Sequence, residues 1–187
     1  MNNSLIPSLP FYFIRHGETD WNLENKRMGN KDIELNQTGL DQAYSAAYIF
    51  NDIEISKIFT SPLKRAKKTS EIIASVCEID VEILETIKER NLGSFEGTNN
   101  IVSFLDNECL PSDAEDCNQF KERIIKSFNK ILSPTEMYPI IVSHGGVFKI
   151  LSHILTNKKD IKCPNGKIFF FTPPINNNPQ WDITPIL

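Results

Sequence analysis

Short apolar runs, separated by segments with helical periodicity, constrain the fold of this chain more than any other sequence feature. Residues 11–14, 57–60, 139–142 and 167–172 are short and rich in aromatic or β-branched side chains. Runs of this kind are typical of strands buried in a sheet. Residues 81–87 alternate apolar with polar or acidic side chains, which predicts a further strand nearer the sheet edge.

The segments between these runs carry apolar residues at helical spacing. On this basis helices are predicted over residues 38–50, 63–76, 112–132 and 147–155. The third of them would begin at a capping-box pattern formed by Ser112 and Glu115. Strands that alternate with helices predict an α/β fold with a largely parallel sheet and helices on both faces.

Composition places the chain among ordinary globular proteins, with 40% hydrophobic and 24% charged residues. A length of 187 residues suits one domain over residues 1–187. Within that domain, residues 1–10 are expected to be a loosely ordered lead-in, and the tail from Pro173 onward is expected to be irregular.

Charge and hydropathy exclude several classes of partner. A net charge of −4 argues against a nucleic-acid or anionic-membrane surface. No apolar run approaches the roughly 18 residues that span a bilayer. The four cysteines form no CxxC pair and no zinc-type cluster with the histidines, so we expect no metal and a reducing, cytoplasmic location.

Residues suited to binding phosphate follow three of the predicted strands. Arg15 and His16 end the first strand, Arg65 lies early in a helix after the second, and His144 with Gly145 follows a third. Ligands of parallel sheets collect beyond the carboxyl ends of strands, and helix N-termini favour phosphate. Arginine offers a fork of donors to phosphate oxygens, and an unprotonated histidine nitrogen can act as a nucleophile.

Taken singly, these residues have simpler explanations. An isolated histidine after a strand is more often structural, and Arg65 alone would be a solvated charge. Glu89 alone would be an ordinary surface carboxylate. Asn22 could add one hydrogen bond to a phosphate without adding charge. His153 lies too far along its helix from His144 to share a site and is interpreted as structural.

The motifs together resemble the histidine phosphatase superfamily, also called the phosphoglycerate mutase-like family. The residues that carry the resemblance occur in the family's order over about 140 residues; they are Arg15-His16-Gly17-Glu18-Thr19 with Trp21-Asn22, Gly29, Asp32, Leu35, Gly39, Gln42-Ala43, Ser61-Pro62-Leu63-Lys64-Arg65-Ala66 with Thr69, Glu89, Gly93, Glu96-Gly97 and Ser143-His144-Gly145-Gly146-Val147. Two departures are Met28, where many relatives have Gln, and residues 112–116, where many carry Gly-Gly-Glu-Ser after a proline.

The resemblance implies a three-layer α/β/α sandwich in which His16 becomes phosphorylated. Arg15, Arg65 and His144 would hold the phosphate with help from Asn22, and Gly145 would let the backbone approach it. Glu89 would be the proton donor, with no metal or organic cofactor.

The expected function is hydrolysis of phosphate monoesters through phosphohistidine, with a small phosphorylated substrate or a phosphoprotein as partner. Two alternatives stay open. A phosphoglycerate-type mutase would use the same His16 and Glu89, although the short segment between Glu89 and His144 leaves little material for a lid that excludes water. A non-catalytic phosphate-binding module would keep the pocket without turnover.

Overall fold

The computed structural model describes residues 6–132, 137–158, 161–175 and 180–186, and six strands within them form one sheet. The strands are β1 (Phe11–Arg15), β2 (Ile55–Thr60), β3 (Val81–Ile83), β4 (Tyr138–Ser143), β5 (Ile168–Thr172) and β6 (Asp182–Ile186). Their order across the sheet is β3-β2-β4-β1-β5-β6. The pairs from β3 to β1 are parallel, whereas β5 is antiparallel to both of its neighbours.

Helices cover both faces of this sheet. The described helices are α1 (Asp20–Leu23), α2 (Gln37–Phe50), α3 (Lys64–Cys77), α4 (Cys117–Ile131) and α5 (Gly145–Thr156). One apolar cluster joins α2 and α3 to the sheet, and a second cluster joins α4 and α5 to its other face. The predicted three-layer α/β/α sandwich with a mostly parallel sheet is confirmed.

Alternation along the central strands explains the two clusters. In β1, Phe11 and Phe13 belong to the α4/α5 cluster and Ile14 to the α2/α3 cluster. In β4, Ile141 belongs to the α4/α5 cluster and Val142 to the α2/α3 cluster. Because successive side chains of a strand point to opposite faces, a continuous apolar run is what a strand covered on both sides requires.

Four sequence predictions need correction. The strand predicted over residues 81–87 ends at Ile83, because Ile83 pairs with Thr60 and β2 ends there; residues Glu85–Ile87 form a 3-10 helix instead. The helix predicted from Ser112 begins at Cys117, where the side chain of Asp116 accepts hydrogen bonds from the next backbone N–H groups.

The remaining two corrections concern the ends of the chain. The tail is not irregular throughout, because β6 pairs with β5 along the sheet edge, a place that tolerates Pro185. The lead-in is not loose over its whole length, since Ile6 is 1% exposed within the α4/α5 cluster. Residues 1–5 of the predicted lead-in lie outside the described residues.

Candidate active site

The ends of two neighbouring parallel strands bring the two predicted histidines together. Arg15 of β1 pairs with Ser143 of β4, so the residues that follow, His16 and His144, emerge side by side. The backbone N–H of His16 donates to the carbonyl of Ser143 at 3.0 Å, and the two imidazole centroids are 5.2 Å apart. Both histidines are buried.

Hydrogen bonding fixes the tautomer of His16. Its Nδ1 lies 2.7 Å from the carbonyl oxygen of Gly17, which can only accept, so Nδ1 carries the proton. Nε2 is then unprotonated, and its lone pair accepts a hydrogen bond from Nε of Arg65 at 3.2 Å. Burial and the charges of Arg65 and Arg15 hold the pKa of His16 well below its usual value. At neutral pH the ring is therefore an uncharged base.

Arg65 is held rigidly beside that lone pair. It is fully buried in the first turn of α3, and its Nη1 and Nη2 donate to the carbonyls of Lys31 and Gly29 at 2.8 and 2.9 Å. Burial lowers the pKa of Arg65 to about 10, which still leaves it charged at neutral pH. Arg15 is fixed at one end, because its Nη1 donates to the carbonyl of Cys163 at 2.8 Å.

His144 is oriented by a residue to which sequence reasoning gave no role. The Oγ of Ser61 accepts from the N–H of Leu63 at 3.3 Å and lies 2.8 Å from Nε2 of His144. The hydroxyl has no other acceptor among the described residues, so we infer that it donates to Nε2 and that Nδ1 of His144 carries the ring proton. Burial, then the charge of Arg65, lowers the pKa of His144 well below its usual value.

Two of these donors have no partner among the described residues. They are Nε of Arg15 and Nδ1 of His144, and both atoms are buried. Buried polar groups in proteins are nearly always hydrogen-bonded, so such a pair indicates a site for an acceptor-rich ligand. A phosphoryl group, with its charged oxygens, has the right chemistry for these donors.

Glu89 enters the site from the segment that follows β3. Its Oε1 accepts from the N–H of Arg90 at 3.0 Å, and its Oε2 accepts from the N–H of Gly146 at 2.9 Å, at the N-terminus of α5. Burial raises the pKa of Glu89, while these two N–H groups and the charges of Arg65 and Arg15 oppose the rise. The carboxyl group therefore binds a proton at higher pH than an exposed glutamate does.

The glycines of α5 allow this close approach. A Cβ on Gly146 would overlap both the Glu89 carboxylate and the ring of Phe104, so only glycine fits between them. A Cβ on Gly145 would lie 3.5 Å from Nε of Arg15, in ordinary contact. The first turn of α5 thus lies close to both Glu89 and Arg15.

An arginine on α4 holds the backbone that carries Glu89. The Nη1 of Arg123 donates to the carbonyls of Thr86 and Lys88 at 2.9 and 2.8 Å, and its Nη2 donates to that of Glu89 at 2.8 Å. Its Nε also forms an ion pair with Glu115 at 2.6 Å. Sequence reasoning missed Arg123 because it lies far along the chain on a helix that showed only amphipathic periodicity.

Asn22 is held near His16 by another residue that sequence reasoning missed. The side-chain N–H of Asn165 donates to Oδ1 of Asn22 and to the carbonyl of His16, both at 3.1 Å. The N–H of Thr19 also donates to Oδ1 of Asn22 at 3.1 Å. Asn165 lies in Pro164-Asn165-Gly166, whose composition indicates a turn and gives no further signal of a site.

These residues border a cavity of about 730 Å³. The predicted site residues that line it are Arg15, His16, Asn22, Arg65, Glu89 and Gly145. Neither His144 nor His153 is among the residues that line this cavity, and the His144 ring centroid lies 5.2 Å from that of His16. Burial raises the pKa of the neighbouring Cys163 thiol to about 12, so this thiol is protonated at neutral pH and is a poor nucleophile.

Two classes of feature are absent from the described parts of the chain. No group of three or more His, Cys, Asp or Glu residues there is arranged to hold a metal ion. No helix in residues 6–132, 137–158, 161–175 or 180–186 is long and apolar enough to cross a membrane. At the departure at position 28, Met28 lines the cavity and is largely buried, and its sulfur accepts from the Thr19 hydroxyl at 3.3 Å.

Comparison with known proteins matches this arrangement to one family. A family model described as the histidine phosphatase superfamily (branch 1) matches residues 11–167. The uncharacterized phosphatase PhoE of Bacillus subtilis is 35% identical over 145 residues, which cover 74% of this chain and 72% of the relative. The probable phosphoglycerate mutase GpmB of Erwinia tasmaniensis is 30% identical over 157 residues, covering 76% and 73%.

A solved structure agrees with these matches. The phosphoserine phosphatase of Entamoeba histolytica, in complex with 3-phosphoglyceric acid, superimposes with a TM-score of 0.75 and is 27% identical. The match covers 94% of each chain. The chain therefore belongs to the histidine phosphatase superfamily (branch 1), whose members are enzymes that act on phosphate groups.

Proposed function

We propose that this chain is a phosphatase that hydrolyses phosphate monoesters through a phosphohistidine formed on His16. The observation that carries the proposal is the unprotonated Nε2 of His16. This atom is fixed by the Gly17 carbonyl at the opposite ring nitrogen and lies 3.2 Å from the Arg65 guanidinium. A neutral imidazole beside a buried cation can attack an anionic phosphate without first losing a proton.

The first half-reaction transfers the phosphoryl group to the enzyme. Nε2 of His16 attacks phosphorus, the bond from phosphorus to the ester oxygen breaks, and Glu89 gives its proton to that oxygen. Arg15, Arg65 and His144 donate hydrogen bonds to the phosphoryl oxygens. Phosphoryl transfer depends mainly on such positioning and charge stabilisation, and losing one preorganised donor typically lowers the rate by about 10²–10³.

The second half-reaction returns the enzyme to its starting state. Water attacks the phosphorus and gives its proton to the Glu89 carboxylate, and the bond from phosphorus to Nε2 breaks. The released electron pair restores the lone pair of His16, and Glu89 is protonated for the next cycle. Throughout, the Nδ1–H of His16 keeps donating to the Gly17 carbonyl, which stabilises the positive ring of the intermediate.

A mutase is the second candidate, because one relative is named a probable phosphoglycerate mutase. It would share the first half-reaction, but a hydroxyl of the substrate would take the phosphoryl group in place of water. The reaction products distinguish a phosphatase from a mutase. A phosphatase releases inorganic phosphate with every turnover, whereas a mutase returns an isomeric ester.

The test is to trap the intermediate during turnover of a ³²P-labelled phosphate monoester, with a chelator present. Acid-labile, alkali-stable label is expected on the wild-type protein and not on His16→Ala, together with release of inorganic phosphate. Label on a different residue would show that His16 is not the nucleophile. Isomerised ester without phosphate release would favour the mutase, and absence of any turnover across a panel of esters would favour a binding module.

A further inference from the structure

The cavity wall beyond the phosphate site is positively charged, although the chain as a whole is acidic. Besides Arg15 and Arg65, four cationic side chains line the cavity: Lys26, Arg27, Lys149 and Lys162. Among its described lining residues, Glu89 is the one carboxylate. The chain carries a formal charge of −4, so the excess of cations is local to this wall.

Two of the four cations already have partners on the protein. Lys26 forms an ion pair with Glu24 at 2.5 Å, and the Nε of Arg27 donates to the carbonyl of Asn100 at 2.8 Å. Lys149 and Lys162 are exposed, and neither forms an ion pair with any residue that the structure describes. These two lysines are the ones free to bind an anion.

Both free lysines flank Arg15. Lys149 lies four residues after Gly145 on α5, hence on the same helix face one turn along, and a Cβ on Gly145 would lie 3.5 Å from Nε of Arg15. Lys162 immediately precedes Cys163, whose carbonyl accepts from Nη1 of Arg15 at 2.8 Å. Both lysines line the cavity, and each lies close along the chain to a residue beside Arg15.

Apolar side chains supply much of the remaining wall. Leu92, Val102, Phe104 and Ile161 line the cavity, as does Ile101, which is 85% exposed. A cavity of about 730 Å³ also exceeds what a lone phosphate group fills. The space and its lining suit a substrate whose organic part is apolar and extends from the ester oxygen toward the rim.

We propose that Lys149 and Lys162 form a subsite for a second negative group, so that the preferred substrates are phosphate monoesters whose leaving group carries an anion on an apolar portion. The proposal rests on the proposed function, because it concerns the leaving group of the ester that His16 attacks. It adds to that function a class of substrate: organic phosphates that carry a negative group in addition to the phosphate, in preference to phosphate esters of uncharged alcohols or phenols.

The test compares two esters that differ in charge alone. The probes are 4-(carboxymethyl)phenyl phosphate and its amide, 4-(carbamoylmethyl)phenyl phosphate, which have nearly the same shape and place the charge one methylene from the ring. At low ionic strength kcat/KM is expected to be roughly tenfold higher for the carboxylate, the effect of two favourable pairings at a solvent-exposed site. This preference should fall as salt is added, because exposed charges are screened.

Variants assign the preference to the two lysines. In Lys149→Gln/Lys162→Gln the ratio of kcat/KM values is expected to fall close to one. The matched control is Lys126→Gln/Lys130→Gln, which removes two positive charges from exposed side chains of α4, outside the cavity, and should keep the preference. Melting temperatures of all variants, measured in parallel, show that they are folded.

The outcomes separate this proposal from the function on which it rests. Equal kcat/KM values for the two esters in the wild type, or a preference that survives in the double variant, would overturn the subsite while leaving the phosphatase intact. If neither ester releases phosphate in the wild type, and other monoesters are also untouched, the proposed function itself has failed.

Discussion

Replacing Glu89 with Gln tests the proposed acid most directly, because the structure shows what the substitution changes. Both carboxyl oxygens of Glu89 accept a backbone N–H, one from Arg90 and one from Gly146. A glutamine has a single acceptor oxygen, so its NH₂ group would face one of these two donors. An unsatisfied buried group of this kind costs about 1–3 kcal/mol of unfolding free energy.

The chemical effect of Glu89→Gln depends on the leaving group. An alkoxide is strongly basic, so losing general-acid help should slow phosphorylation by an alkyl phosphate by about 10²–10⁴. A nitrophenolate leaves without a proton, so the same step with 4-nitrophenyl phosphate should slow far less. Any distortion from the misplaced NH₂ group slows both substrates alike, and the ratio of the two losses therefore isolates proton donation.

Single-turnover rates of phosphorylation, measured for both esters in wild type and Glu89→Gln, give this ratio. Because Glu89 also accepts the proton of water in the second step, the variant should show a burst of nitrophenolate followed by slow turnover. The pH profile adds a second readout: for the alkyl ester, activity should fall as pH rises through the raised pKa of Glu89, and the variant should lack that limb.

Equal losses for the two esters would refute the assignment, and Glu18 and Glu96 would then be the next candidates. The structure argues against both. Oε1 of Glu96 accepts from the backbone N–H groups of Asn30 and Leu92, and Oε1 of Glu18 accepts from the side chain of Asn36. Neither glutamate lines the cavity. Glu18→Gln and Glu96→Gln serve as matched controls and should not show a loss that depends on the leaving group.

Three other predictions follow from the contacts around the site. Ser61→Ala removes the hydroxyl that fixes the tautomer of His144, and kcat is expected to fall roughly tenfold, about one hydrogen bond, with little change in KM; an unchanged kcat would contradict this. Arg123→Lys cannot reproduce the donor pattern on the backbone before Glu89, so alkyl phosphates should lose more activity than nitrophenyl phosphate, and Lys126→Gln should not discriminate between them. The pKa values of His16 and His144 are lowered on folding, so below about pH 6.5 the unfolded chain binds more protons than the folded chain. The free energy of unfolding should therefore decrease as the pH is lowered, by about 1.4 kcal/mol per pH unit for each histidine, whereas the raised pKa of Glu89 contributes with the opposite sign. Urea unfolding measured from pH 5 to 7 should show a shallower dependence on pH in His144→Gln than in the wild type.

Periodicity predicted the architecture because the buried strands are covered on both faces. The run Pro139-Ile140-Ile141-Val142 must serve two clusters at once, so it is apolar throughout and visible in the sequence. The end of β3 was not visible, because it depends on where its partner β2 stops. β6 was missed for a related reason: an edge strand with Pro185 and polar neighbours lacks the apolar signal and is defined by its pairing with β5.

The start of α4 shows how a local pattern can be overridden by tertiary contacts. Ser112 and Glu115 have capping-box spacing, but the carboxylate of Glu115 is engaged by Arg123 and by the N–H of Asn91. Asp116 caps the helix in its place. Arg123, Ser61 and Asn165 were missed as supports of the site for the same reason, because each acts through partners that only the folded chain brings near.

One physical cause sets the proposed nucleophile, His16, and the proposed acid, Glu89, in complementary protonation states. Burial disfavours charge on any ionisable group, so it lowers the pKa of His16 and raises that of Glu89. The guanidinium charges of Arg65 and Arg15 deepen the first effect and only partly oppose the second. If both side chains were exposed, the histidine would be protonated and the glutamate ionised between about pH 4.3 and pH 6.5, which is the unreactive combination. The buried cleft at the strand ends therefore holds an unprotonated imidazole nitrogen and a carboxyl group able to carry a proton in one cavity.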